Sequence, residues 1–329
     1  MTKPAVLVTG GAGYIGSHAV LALKDAGWHV AVIDDLSNGS REAVPEGVPF
    51  YHGPISERVL VDSIIDELGI GAIMHFAGSI VVPESVEKPL DYYANNTLAS
   101  HALISGAVAA GVKHILFSST AATYGAPERV PIDEEDPKVP INPYGASKLM
   151  TERMLEDASA AHSFNYGALR YFNVAGADPK GRTGQIGKGS THLIKVACET
   201  AVGKRDRIAI YGTDYPTPDG TCIRDYIHVS DLADAHVAAL QWLVEHPEEN
   251  LVMNCGYGKG LSVLEVIDAV DRASGSPIVR VMEGRRAGDP PELVAGNARL
   301  LKTLDWRPAY ADIDVIVGDA LAWERKLPG

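Results

Sequence analysis

Ala5-Val6-Leu7-Val8-Thr9-Gly10-Gly11-Ala12-Gly13-Tyr14-Ile15-Gly16 is the stretch on which the reading of this 329-residue chain turns. Ala5 to Thr9 is short, apolar and rich in valine, as a strand buried on both faces must be. It runs directly into Gly11, Gly13 and Gly16, the spacing of a dinucleotide-binding turn. There glycine permits a tight bend, close backbone approach to a pyrophosphate and close packing of the next helix, whose positive end faces the phosphates. An ordinary strand-to-helix turn would explain the glycines alone. His29 to Ile33 reads as a second strand, and it ends in Asp34 and Asp35. That is about 20 residues past the glycines, where a carboxylate accepts the ribose hydroxyls of NAD and repels the extra phosphate of NADP.

The pattern continues outward. Phe50 to Tyr51, Ala72 to Phe76, His114 to Ser118 and Ala168 to Tyr171 read as further buried strands. Helices are expected at about Gly16 to Ala26, Arg58 to Leu68, Asp91 to Ala110 and Pro143 to Ala161. This alternation predicts an α/β fold with a doubly wound parallel sheet. From Gly176 to Gly189 the text turns to Gly, Pro and Lys, which marks a boundary. The expected division is a dinucleotide-binding domain over 1–175 and a smaller α/β substrate domain over 176–329, with segments around 224–256 returning to the first. Helices are expected in the second part near Thr191 to Val202, Asp231 to His246, Val263 to Ser274 and Ile313 to Lys326.

Composition limits the function classes. The chain is 46% apolar and 22% charged with a net charge of −13, so neither nucleic acid nor an anionic membrane surface is expected as a partner. The apolar run at the start is too short to span a bilayer or act as a signal peptide, and a cytoplasmic protein is expected. Cys198, Cys222 and Cys255 are scattered in apolar text and read as buried free thiols, with no metal site expected. The run Glu134-Glu135-Asp136 reads as a solvated loop.

Tyr144-Gly145-Ala146-Ser147-Lys148 carries the chemistry. A phenol and an ammonium four residues apart on a helix share one face and can act as an acid/base unit. Asn142 suits the N-cap and Pro143 the first helical position, placing Tyr144 near a positive helix end. Bringing a phenol from pKa about 10 to about 7 takes roughly 4 kcal/mol, and Lys148 is the expected source. Ser118, Ser119 and Thr120 close the fifth strand at the carboxyl edge, where open parallel sheets bind ligands.

Thr-Tyr-Lys with a glycine-rich first turn resembles the short-chain dehydrogenase/reductases, in which Gly10 would be the extra glycine. The chain is similar to the extended branch, among its UDP-sugar 4-epimerases. The resemblance rests on TGGAGYIGSH from Thr9, HFAG from His75, ESVEKPLDYYANN from Glu84, FSSTAATYG from Phe117, PYGASK from Pro143, RYFNVAGA from Arg170, DYPTPDGTCIRDYIHVSDLAD from Asp214 and RRAGD from Arg285. It implies NAD-dependent 4-epimerisation of a UDP-hexose, between UDP-glucose and UDP-galactose, through a transient 4-keto sugar, in a homodimer. Tyr144 would be the acid/base, Lys148 would hold the nicotinamide ribose and Thr120 the 4-oxygen. Cofactor contacts would come from Gly10, Gly13, Tyr14, Ile15, Gly16, Asp34, Asp35, Asn38, Ile55, Phe76, Ala77, Gly78, Asn95, Ser118 and Tyr171. Substrate contacts would come from Asn173, His192, Tyr211, Arg224, Arg286, Asp289 and Leu293, with the two arginines on the diphosphate.

Three positions depart from the family pattern. Ile80 stands where some relatives carry Lys, Pro54 where many carry an Asp toward the adenine, and Leu293 where a Tyr or smaller residue gates the sugar 2-position, which leaves N-acetylated sugars and pentoses open as substrates. Rival readings fit less well. A 4,6-dehydratase would place an acid pair where Ala121 and Ala122 follow Thr120, an NADP reductase conflicts with Asp34, and a non-catalytic scaffold would have no use for the Tyr/Lys pair.

Overall fold

The structure, a computed structural model, describes residues 3–187, 190–286 and 288–328. Strands β1 (Ala5–Thr9), β2 (Val30–Asp34), β3 (Phe50–His52), β4 (Ile70–His75), β5 (His114–Thr120) and β6 (Asn165–Tyr171) are followed by β7 (Asn173–Ala175), β8 (Ile208–Tyr211), β9 (Ile223–His228), β10 (Leu251–Cys255), β11 (Gly260–Ser262), β12 (Arg280–Glu283) and β13 (Glu292–Leu293). Seven of them form one sheet in the order β10-β6-β5-β4-β1-β2-β3, and every pairing in it is parallel. The chain winds from β1 toward β3 on one side and from β4 toward β10 on the other. The switch between β1 and β4 therefore opens a crevice at their carboxyl ends.

Both faces of the sheet are covered, as the apolar strand texts require. Val6, Val8, Met74 and Leu116 pack with the helix Tyr14–Asp25 and with Val229–Glu245, through Leu23, Leu232, Leu240 and Leu243. Leu7, Ile33, Ile73 and Phe117 pack on the other side with Arg58–Leu68, Ala99–Ala110 and Pro143–Ala161, through Ile64, Leu103 and Leu155. Burying one such side chain contributes about 1.5–3 kcal/mol, so this double cover is what holds the crevice rigid.

A smaller unit continues from β6. There β7, β11 and β13 gather around β9, while β8 pairs with β12. The helices Leu193–Ala201, Val263–Ser274 and Ile313–Lys326 close its core around Ile194, Val266 and Val317.

Two local expectations are corrected. The helix expected over Asp91 to Ala110 is continuous but not regular: it begins at Pro89, widens into a π-helical turn at Tyr93–Leu98 and runs on as Ala99–Ala110, with a separate short helix, Val82–Glu87, before it. That turn lets Asn95 Nδ2 donate to Ser79 Oγ at 2.9 Å and Asn96 Nδ2 to Ser79 O at 3.0 Å. Glu134 is not solvated. It is 5% exposed, and its Oε1 accepts the Asn254 backbone N–H at 2.9 Å, which ties the loop to β10.

Candidate active site

The glycine turn is shaped by contact. Gly10 has φ of +70°, and a Cβ on it would lie 2.6 Å from Ala77 N. A Cβ on Gly16 would lie 2.1 Å from Gly10 O, so no side chain fits at either position. Gly13 caps the helix Tyr14–Asp25 without a side-chain acceptor, and no acidic residue sits in the first turn. Its orphan N–H groups and positive end are thus open to phosphate. Tyr14 is anchored by donation from Oη to Gly176 O at 2.7 Å. At the end of β2, Asp34 Oδ2 accepts from Ala12 N at 2.9 Å and Oδ1 from Leu36 N at 2.8 Å. Each oxygen keeps a second acceptor direction for a ribose hydroxyl, and burial raises the carboxyl's pKa. Asp35 instead binds Ser37, and Asn38 is exposed in the following loop. Buried Ile55 lies beyond β3, Phe76 to Gly78 follow β4, and Ser118 is buried within β5. These residues fit a dinucleotide along the crevice.

The register Thr120↔Tyr171 sets the ends of β5 and β6 side by side. Asn142 Oδ1 accepts from Gly145 N at 2.8 Å with Pro143 at the first helical position, fixing the helix start that carries Tyr144. A cavity of about 190 Å³ opens there, lined among others by Ile15, Thr120, Tyr144, Tyr171, Asn173 and His192. Residues far apart in sequence thus line one cavity. Thr120 Oγ1 accepts the Ala122 backbone N–H at 3.2 Å, beside the Tyr144 phenol on the cavity lining, and burial pushes that phenol well above its usual pKa. Lys148 Nζ lies 4.3 Å from the centre of the Phe117 ring, and burial lowers its pKa to about 7. Desolvation is the largest influence on both groups: it opposes the phenolate of Tyr144 and the ammonium of Lys148.

The remaining expected substrate residues lie in two further groups. Arg224, on β9, pairs in register with Leu293 on β13, and its Nη2 lies 3.6 Å from Asp289 Oδ1. The Arg286 guanidinium stacks 3.7 Å over the Tyr211 ring. Ile80 lines the first cavity, in keeping with its sequence neighbourhood.

Sequence reasoning missed Gln185, Lys195, Trp323 and Glu324, which also line the cavity. Lys195 left a signal, since it interrupts the apolar text Leu193-Ile194-Val196-Ala197-Cys198. It pairs with buried Glu324. Behind β5, Ser119 and Arg170 hold Glu152, the latter at 2.6 Å. His75, buried between Thr9 Oγ1 at 2.7 Å and Ser100 Oγ at 2.8 Å, is kept neutral with a pKa lowered to about 3.

Residues 6–256 match the NAD dependent epimerase/dehydratase family. The chain belongs to that family. It is 59% identical to a UDP-glucose 4-epimerase of Azospirillum brasilense, over 99% of this chain and 93% of the relative. Among solved structures, the UDP-glucose 4-epimerase of Bifidobacterium longum in complex with NAD+ and UDP superposes with a TM-score of 0.92 at 39% identity, covering 98% of each chain. The UDP-Glc/GlcNAc 4-epimerase of Campylobacter jejuni gives 0.86 at 44% identity, covering 98% of this chain and 100% of that one. The epimerase/dehydratase family thus accounts for both the seven-stranded sheet and the crevice. Among the described residues there is no cluster suited to a metal ion, and no helix long and apolar enough to cross a membrane.

Proposed function

We propose that this chain is an NAD-dependent UDP-hexose 4-epimerase that interconverts UDP-glucose and UDP-galactose. The observation that carries the reading is the meeting of Thr120, Tyr144, Asn173 and His192 around one cavity at the carboxyl edge of the sheet, beside a glycine turn built for a pyrophosphate.

Gly10, Gly13 and Gly16 would receive the pyrophosphate, Asp34 the adenosine ribose and Lys148 the nicotinamide ribose. When bound, NAD supplies a ring that takes up and returns a hydride and whose positive charge favours the phenolate. Tyr144 removes the proton of the sugar 4-hydroxyl, with Thr120 holding the same oxygen. Arg224, Arg286 and Asp289 grip the diphosphate and ribose while the 4-keto sugar presents its other face. Tyr144 then returns the proton. Burial of the phenol and ammonium keeps water from competing for either.

Ala121 and Ala122 after Thr120 supply neither acid nor base, which disfavours a 4,6-dehydratase. Leu293 favours a second reading, a UDP-N-acetylhexosamine 4-epimerase, because an aliphatic side chain leaves the 2-position less crowded than a tyrosine. The C. jejuni relative named above is described as acting on both kinds of hexose. Incubating the pure protein with a panel of UDP-sugars and no added nicotinamide decides among these, followed by denaturation and detection of released NAD. A 6-deoxy-4-keto product would overturn the epimerase.

We assign the unit of residues 1–175, joined by the helix Val229–Glu245 and β10, to cofactor binding, and the remaining unit, whose β9 carries Arg224, to the sugar nucleotide. The exposed apolar side chains of Val86, Leu90, Leu98 and Met150 support a homodimer, which light scattering tests directly. Three buried free thiols suit a reducing compartment. This supports a cytoplasmic location, which cell fractionation tests.

A further inference from the structure

The cavity that Tyr144 lines also holds a hydrogen-bond chain around His192 to which the reaction above gives no role. Gln185 Nε2 donates to Ser190 Oγ at 3.0 Å and lies 3.0 Å from His192 Nδ1. Ser190 Oγ accepts the His192 backbone N–H at 3.2 Å, so the amide, the hydroxyl and the imidazole form one closed group. Gln185 is itself fixed on its main chain: its carbonyl accepts from Lys195 Nζ at 3.1 Å. Lys195 is held by Glu324 and lies 3.6 Å from Glu199, and Glu324 also binds Lys204 at 2.8 Å. Just before it, Gly184 presses on Trp323, where a Cβ would lie 2.5 Å from the indole.

We infer that Gln185 is a positioning residue: its amide donates to His192 Nδ1, holds the ring proton on Nε2 and so makes His192 an N–H donor to an oxygen of the bound sugar nucleotide. The inference rests on the reading of this cavity as the sugar site. A neutral imidazole has one donor and one acceptor nitrogen, and an amide N–H on Nδ1 leaves the donor role to Nε2. His192 lines the cavity, and the protein packed around its ring lowers its pKa, which favours the neutral imidazole. The charged groups nearby are Lys195 and Glu199 on its own helix, Lys204 and Arg205 just beyond it and Glu324 on the last helix, and they pair with one another. Arg205 Nη2 also donates to Ser190 O at 3.3 Å.

Nitrogen-15 spectra of histidine-labelled protein, with His192 assigned by loss of its signals in His192→Asn, read the tautomer without substrate. The proton is expected on Nε2, and a proton on Nδ1 overturns the proposal even if every variant misfolds. Gln185→Leu is expected to raise KM about three- to tenfold, the effect of one lost hydrogen bond, with a smaller change in kcat. Gln185→Glu places a carboxylate on Nδ1, raises the His192 pKa and adds a new step to the pH profile of KM. That step is expected to vanish when His192→Asn is added. A merely structural Gln185 would move the melting temperature and kcat but produce no such step, and that result also overturns the proposal. Failure of the epimerase reading would appear separately, as no 4-epimer from any UDP-sugar with the Nε2 proton still in place.

Discussion

Lys148 lies one helical turn beyond Tyr144, and its ammonium rests 4.3 Å from the centre of the Phe117 ring. Burial there lowers its pKa to about 7, against about 10.4 in the unfolded chain. Between those values the unfolded chain keeps a proton that the folded chain has released, so stability rises with pH across that window. Below about 7 the folded protein carries the full desolvation cost, on the order of 4 kcal/mol. Lys148→Met in nucleotide-free protein is therefore expected to be inactive but more stable than the parent near pH 6. The difference should shrink as pH climbs toward 10. Urea midpoints across that range check it, and a difference that does not change with pH would show that Lys148 is not the group responsible.

Tyr144→Phe removes the proton carrier and leaves its ring packed at the helix start. Turnover is expected to fall by about 10²–10⁴, with nucleotide content and melting temperature close to the parent. A coupled assay on UDP-galactose measures it, and a variant that still turns over at the parent rate would remove the phenol from the mechanism.

Asp34 joins the glycine turn to the second strand through Ala12 and Leu36. Asp34→Ala is expected to weaken NAD retention roughly 10- to 100-fold, the worth of charge-assisted bonds at about 1.5–3 kcal/mol. Nucleotide released from protein after gel filtration gives the readout, and undiminished NAD would count against Asp34 as the ribose contact.

Arg286 is stacked on Tyr211, with its guanidinium free to meet a diphosphate edge-on. Arg286→Met should raise KM for UDP-sugars by roughly 10- to 100-fold without altering NAD content. An unchanged KM would separate this arginine from the substrate.

Arg170 and Glu152 are 5% and 7% exposed at 2.6 Å. Arg170→Met leaves the buried carboxylate without its bidentate partner, holding the Ser119 hydrogen bond and the charge of Lys148 one turn away, and about 3–5 kcal/mol of stability should be lost. Urea denaturation reads this, and a loss below about 1 kcal/mol would mean that water reaches Glu152.

Much of the fold was legible because its signals are local. The helices Arg58–Leu68, Pro143–Ala161, Val263–Ser274 and Ile313–Lys326 have the bounds expected from their texts. Periodicity, an N-cap at Asn142 and a proline at 143 act within one turn of chain. Pro83 and Pro89 were equally local, but the wide turn at Tyr93–Leu98 depends on asparagines reaching Ser79 across the crevice mouth. Glu134 read as solvated because its partner, Asn254, is 120 residues away.

Taken alone, the order of residues determined a parallel sheet, a glycine turn before the first helix, an acid after the second strand and a phenol–ammonium pair on one helical face. Each follows from backbone sterics and side-chain period, which neighbours in sequence set. Only the tertiary structure decided how those groups hold their protons and which side chains complete the cavity. The proton affinities of Tyr144 and Lys148 are governed by desolvation, and the tautomer of His192 by Gln185. Both depend on the water excluded and the dipoles supplied by segments that folding brings together from opposite ends of the chain.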